Sequence, residues 1–407
     1  MLKLAGTRCQ KASRYRFVIA GLLGFLAFSM SVNMFATGPI VPVIIDQYGI
    51  SNSMAGLLSS VIFLVQVPFA VPASTLVGRI GLKTLITLAA VTGSATLLTF
   101  IFAESFFLIL SLRAIYGVGM VLMWPAVGPL FMQWFNSREL PLVNGVFMLC
   151  ASFGVVVSNL MIVPLSEAIG WEMALSVFGG ISAFGALMWL IFGKAGTIQV
   201  GDNTSGQSIN GRVWRVLRSR NTILVGIADA GPLALLTASQ AWLPTFYYRE
   251  HGMGLSDGGT LMGLLSLSGF VALILASLLP IWLKLRRPFL IMPGMIAGFA
   301  ALASLFLVDL VPLYIPVVFL GFACWFYVPA LVTVAMELHT GDPRQVAVIL
   351  ACLMSIGGVA SFVSPPLVGA VSDLTGSLMP GLAIFAVFGW SLAIAGLLIP
   401  ETGIRDD

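Results

Sequence analysis

The sequence predicts an all-α polytopic membrane protein with 12 transmembrane helices in two pseudo-symmetric six-helix halves. Three observations carry this. Apolar residues make up 59% of the 407 and charged residues only 9%, against roughly 25% charged in an average soluble domain. The apolar residues gather into twelve stretches of spanning length, and the basic residues between them fall almost entirely on one side. Lipid is therefore the solvent for most side chains. The net charge of +4 is a matter of placement rather than excess, and implies no nucleic-acid partner.

A spanning helix needs ~20 mostly apolar residues to cross a hydrocarbon core of ~30 Å. The first stretch, 17–45, follows Lys3, Arg8, Lys11, Arg14 and Arg16. It is too long for a signal-peptide core and lacks a small-residue cleavage site, so it reads as a retained first helix. Spans at 53–77, 84–103, 105–134, 142–166 and 173–193 complete an N-terminal half, residues 1–193. Residues 194–220 form a polar connection. Its 201–208 portion has linker composition, and Arg212, Arg215, Arg218 and Arg220 with Trp214 suit a basic interfacial flank. Spans at 221–248, 257–283, 288–309, 312–336, 345–370 and 377–399 make a C-terminal half, residues 221–407. Gly and Pro occur throughout these spans, which bilayer helices tolerate.

If the spans alternate from a cytoplasmic N-terminus, 18 of the 20 Lys and Arg lie in cytoplasmic segments; Arg249 is outside and Arg113 lies within a span. The positive-inside rule predicts this asymmetry, and one missed helix would scramble it. The expected setting is a bacterial-type plasma membrane with both termini cytoplasmic. Of the four cysteines, Cys150, Cys324 and Cys352 are in apolar stretches and Cys9 in the basic N-terminal segment, so no disulfide framework is implied. His251 and His339 are the only histidines, and no metal spacing or cofactor motif is present.

A shift of 204 residues places Gly117 on Gly321, Pro125 on Pro329, Met132 on Met336, Leu149 on Leu353 and Gly154 on Gly358. A shift of 205 places Pro39 on Pro244 and Gly49 on Gly254. The common register indicates duplicated halves, a transporter design with a solute site between them at the bilayer midplane.

Arg79, Gly81 and Lys83 between spans two and three, and Arg113, Gly117 and Gly119 in span four, resemble two motifs of the major facilitator superfamily. Between spans two and three, Arg79, Gly81 and Lys83 match that family's Gly-x-x-x-Asp-Arg-x-Gly-basic-basic loop, with Ser74, Gly78 and Leu82 at its Gly, Asp and first basic positions. Without the Asp, the family's ion-pair latch lacks its carboxylate here. In span four, Arg113, Gly117 and Gly119 are similar to the family's Arg-x-x-x-Gly-x-Gly pattern. Span five has no Gly-Pro pair around Gly154, unlike proton-driven drug exporters. Trp242 to Pro244, and Gly369 to Gly376 with Asp373, resemble the cyanate-permease-like branch of small-solute porters.

The resemblance implies that spans 1, 4, 7 and 10 line a central cavity, with Arg79, Gly81 and Lys83 as a gating loop. Ser29, Asn33 and Thr37 recur every four residues and share one face, which lines the cavity or hydrogen-bonds a neighbouring helix. The candidate substrate-binding residues are Asn33, Thr37, Arg113, Trp124, Asp229, Gln240, Trp325 and Tyr327, with Gln66, Ser152 and Asn159 behind them. Gly231-Pro232, Pro125, Pro329 and Pro365-Pro366 are candidate helix interruptions.

Arg113 and Asp229 stand out as charges within spans, each ~12 Å deep from opposite faces, so a pair across the cavity is within reach in at least one conformation. The alternative satisfies Arg113 with span-one or span-five carbonyls and Asp229 with backbone near Pro232. The expected function is secondary active transport of a small solute, an organic or inorganic anion, by alternating access, with the chain acting as a monomer in lipid. The alternatives are a proton-coupled exporter of drugs or organic cations, and a receptor that binds solute without moving it. No catalytic triad, carboxylate pair or phosphate-binding loop supports an enzyme.

Overall fold

The structure, a computed structural model, describes residues 14–136, 138–195, 219–278, 285–338 and 343–402, without the side chains of 67–79, 343–348 and 350–352. The expectations for Cys9, Trp214, His339, most of the 194–220 connection and the side chains of Arg79 and Cys352 lie outside what is described. Among those described, ten helices are long and apolar enough to span a membrane, and Tyr15–Ser31 is a shorter apolar helix.

The N-terminal elements are α1 (Tyr15–Ser31), α2 (Asn52–Ile80), α3 (Leu82–Phe102), α4 (Phe106–Trp134), α5 (Leu140–Ile169) and α6 (Trp171–Phe192). The C-terminal elements are α7 (Arg220–Glu250), α8 (Leu255–Leu278), α9 (Pro288–Phe306), α10 (Leu310–Glu337), α11 (Pro343–Thr375) and α12 (Met379–Leu398). Within the first set α1 packs on α5 and α6, α4 on α2 and α3, and α3 on α6. Adding six to each number gives the pairs of the second set: α7 on α11 and α12, α10 on α8 and α9, α9 on α12. Between the halves the large contacts are α2 with α11 and α5 with α8. Each of these maps onto the other under the same exchange, as a two-fold relation requires.

Hydrophobicity does not drive helices together in lipid, so close approach depends on small residues. Four glycines let the halves meet. A Cβ on Gly56 of α2 would come within 2.6 Å of the Pro365 carbonyl oxygen, and one on Gly369 of α11 within 2.4 Å of the Asn52 carbonyl oxygen. Along α8, Gly259 and Gly263 lie one turn apart and admit Val163 and Leu160 of α5. These contacts seal the end of the bundle opposite the chain termini, here called the distal end.

Two expectations about continuity change. The first span is not one helix over 17–45. After Ser31 the chain turns, passes through a 3-10 segment at Gly38–Ile40, and resumes as helix over Val41–Tyr48. Gly38 and Pro39 lie in that break, where a Cβ on Gly38 would strike the Gln240 carbonyl oxygen at 1.9 Å. Conversely, Pro125, Pro232 and Pro365-Pro366 lie inside helices that continue through them. The interruption in α10 falls at Tyr327, between helical segments ending at Phe326 and starting at Val328, with Pro329 in the first turn of the second.

Outside the bundle, α9 and α10 border an apolar groove of about 560 Å³ lined by residues including Met295, Phe299, Pro312, Ile315 and Phe319. It adjoins a second hollow of about 270 Å³ against Met292, Phe322 and Phe326, Ile296 being common to both.

Candidate functional site

Arg113 of α4 is buried, and its guanidinium serves the break in the first span. Nη1 donates to the Asn33 carbonyl at 2.6 Å, Nη2 to the Met34 carbonyl at 2.9 Å and to Thr37 Oγ1 at 3.5 Å, and Nε to the Leu58 carbonyl of α2 at 3.0 Å. Once α1 ends, Asn33 and Met34 no longer sit in a continuous helical ladder, and the fork of donors meets those carbonyls. The Tyr116 ring lies 5.6 Å from the guanidinium carbon, and the Tyr116 hydroxyl donates to the Met30 carbonyl at 2.8 Å. Every named acceptor of Arg113 is neutral.

In the other half, Asp229 of α7 is buried and accepts a 2.9 Å hydrogen bond from the Tyr327 hydroxyl at the α10 interruption. Gly357 of α11 closes over the carboxylate, where a Cβ would meet Asp229 Oδ2 at 2.6 Å. None of the three ion pairs among the described residues includes Arg113 or Asp229. In this conformation each is satisfied within its own half. Arg113 uses carbonyls of the first and second spans rather than the fifth, and Asp229 uses a side chain rather than backbone near Pro232.

The polar stripe of the first span is divided between neighbours. Asn33 faces α3 and α6: its amide donates to the Phe178 carbonyl at 3.1 Å, Ser182 Oγ at 3.1 Å and the Ser29 carbonyl at 3.3 Å, and its oxygen accepts from Thr96 at 2.7 Å. This is interhelical bonding, and Asn33 presents nothing to the other half. Thr37 lies between Arg113 and Ser59 Oγ, 3.3 Å away. Trp325 packs its indole against Gly269 of α8. Trp124 is 38% exposed, edge-on to Phe147, in a shallow recess with Met30, Ser31, Met120 and Ala151. Gly81 joins α2 to α3 at φ +79°, a conformation side chains resist, and Lys83 beside it is exposed.

Gln240 joins the two halves. Asn159 Nδ2 of α5 donates to Gln240 Oε1 at 3.1 Å and to Ser266 Oγ of α8 at 2.8 Å, and Gln240 Nε2 donates to the same Ser266 oxygen at 3.1 Å. Ser266 had no signal in the sequence beyond being a serine in a span.

At the distal end, Asp373 near the end of α11 crosses to the start of α2. It accepts from the backbone amides of Asn52 and Ser53 at 2.9 Å each, and from the Ser53 hydroxyl. Arg249 reaches Asn52 Oδ1 at 3.1 Å and Asp46 at 3.5 Å. Neither was a sequence candidate for a role. Their partners lie about two hundred or more residues away, beyond the reach of local spacing.

The sequence profile of the Major Facilitator Superfamily matches residues 23–365. The protein named Probable sulfoacetate transporter of Cupriavidus necator is 25% identical over 403 residues, covering 93% of this chain and 91% of its own. The Probable galactarate/D-glucarate transporter of Bacillus subtilis is 25% identical over 360 residues, 80% and 78% of the two chains. Among solved structures, a bacterial homolog to the human lysosomal transporter Spinster, inward-facing and unoccupied, aligns with a TM-score of 0.68 over 95% of each chain at 16% identity.

Proposed function

We propose, for a chain that belongs to the Major Facilitator Superfamily and is thus a membrane transporter and not an enzyme, that the solute is a small organic anion moved by alternating access. The observation that carries this reading is Arg113. A charge in the hydrocarbon interior is normally paired or faces water, yet the named partners of Arg113 are three carbonyls and a hydroxyl. A mobile anion supplies the missing counter-charge when the cavity opens toward it. The names of the relatives, transporters for sulfoacetate and for galactarate or D-glucarate, support the same class.

Asp229, held by Tyr327, is the group that takes up the coupling proton, and it pairs with Arg113 across the cavity when substrate is absent in another conformation. Thr37, Trp124 and Gln240 complete the site, while Asn33 and Trp325 position its helices. Residues 1–193 and 221–407 rock as two bodies joined by 194–220, with Arg79, Gly81 and Lys83 in the loop that bends at the terminal end. The chain acts as a monomer, without nucleic acid, in a bacterial-type inner membrane, with both termini cytoplasmic as the basic residues require.

The test is uptake of labelled sulfoacetate and galactarate by purified protein in liposomes under an imposed proton gradient. Arg113→Gln and Asp229→Asn should each abolish uptake while remaining monodisperse. Arg113→Lys keeps the charge without the fork of donors, and should retain part of it. Wild-type uptake of neither anion, or normal uptake by both neutral variants, overturns the reading.

A further inference from the structure

We propose that Asn159, Gln240 and Ser266 form a hydroxyl-reading site, and that the anion carried is a polyhydroxylated carboxylate of the sugar-acid type; this rests on the organic-anion reading above. The three side chains are 0%, 1% and 3% exposed. Asn159 lies ten residues from the distal end of α5 at Ile169, Gln240 ten from that of α7 at Glu250, and Ser266 eleven from that of α8 at Leu255. At 1.5 Å per residue each lies ~15 to 17 Å along its helix from the distal end. The cluster therefore sits about three turns inside the distal end, on the boundary between the halves, beside the close α5–α8 approach that Gly259 and Gly263 permit.

Two features argue that it is more than packing. Its bonds from Asn159 to Gln240 and Ser266 cross the boundary along which the halves part, so they break and reform in each cycle. A static glue would sit within one half, as the Asn33 network does. The cluster is also incomplete, because Asn159 Oδ1 is buried with no hydrogen-bond partner, as is Ser158 Oγ beside it in sequence. A buried acceptor left unmade is costly.

The chemistry of the set selects its ligand. Two amides and a hydroxyl offer donors and acceptors with no net charge. A carboxylate only accepts, and would leave Asn159 Oδ1 as it stands. A hydroxyl both donates and accepts, so neighbouring hydroxyls on a carbon chain can replace the bonds that part and also satisfy the open oxygen. The carboxylate end is left to Arg113. A site built to bond hydroxyls rejects an analogue lacking them far more strongly than an apolar pocket rejects an added methylene.

Galactarate and adipate make the comparison, since both are six-carbon dicarboxylates and only the first carries hydroxyls. In liposomes containing the whole protein, each is tested as competitor of labelled anion uptake. Galactarate should compete at a concentration at least 100-fold below adipate. Asn159→Leu and the milder Ser266→Ala should each shrink that ratio, Asn159→Leu by tenfold or more, with thermal unfolding and monodispersity showing that both variants fold. Equal competition by the two dicarboxylates, or a ratio unchanged in both folded variants, overturns the proposal. Uptake of sulfoacetate with no competition by galactarate overturns it while leaving the organic-anion reading intact. Failure of every anion removes both.

Discussion

Removing the Asp373 carboxylate should loosen the distal closure by an amount its contacts allow to be estimated. It accepts two backbone amides at 2.9 Å and a hydroxyl at the first turn of α2, so it acts as an N-cap supplied by the opposite half. Loss of an N-cap side chain costs ~0.5–2 kcal/mol, and a negative charge at a helix N-terminus adds ~0.3–1 kcal/mol. The group is exposed, so solvent screening keeps the sum toward the lower end, about 1–2 kcal/mol. All of it belongs to the distal-closed state, because parting the halves separates cap from helix. Asp373→Ala should then raise the ratio of distal-open to distal-closed molecules by roughly 5- to 30-fold. Asp373→Asn, which keeps one acceptor, should raise it less. Spin labels at Glu104 and Val311, exposed distal positions on opposite halves, report the change as growth of a longer-distance population at the expense of the shorter. A ratio within twofold of the parent in a folded Asp373→Ala protein would refute the capping argument.

Three further outcomes follow from the same contacts. Asn33→Leu strands the partners of four hydrogen bonds, and at ~0.6 kcal/mol each for intramembrane bonds should lower thermal stability by about 2 kcal/mol without altering solute preference; a selectivity change at unchanged stability would place Asn33 in the site instead. Gly369→Val brings a Cβ within 2.4 Å of the Asn52 carbonyl oxygen, and should hold the distal end open by the same spin-label measurement, while an unchanged distribution would show that α2 can yield. For topology, a cysteine replacing Glu250 should react with an impermeant maleimide in intact cells and one replacing Ser205 should not, and reaction at 205 alone would invert the orientation.

Much of the architecture could be read because hydropathy and charge bias act on whole segments. The twelve spans need only length and composition, and the pairing of helices within halves agrees with the repeat register seen at Gly117 and Gly321. Hydropathy is blind to backbone angles, however, so the first span read as one helix although Gly38, Pro39 and Pro42 lay in plain view. Periodicity placed Ser29, Asn33 and Thr37 on one side but could not say that α6 rather than the other half covers Asn33. Arg113 and Asp229 were visible as charges in apolar runs. Their actual partners were not, because the Tyr327 hydroxyl reaches Asp229 across 98 residues only through the turn in α10. Asp373 drew notice only as part of a family-like segment. Its role depends on α11 and α2 ending at the same height, which no linear pattern records.

The groove between α9 and α10 ties the C-terminal half to its surroundings. About 560 Å³ of hollow lined by Met295, Phe299 and Phe319 has no protein atoms to fill it, and surfaces facing a void forfeit their dispersion contacts. Acyl chains are the filler at hand, and their fit varies with length and saturation. Extraction into short-tailed detergent would replace well-matched chains with poorly matched ones along this flank, so amide exchange should quicken in α9 and α10 first. The chemistry of the surrounding lipid thereby becomes a determinant of how firmly the C-terminal half holds its shape.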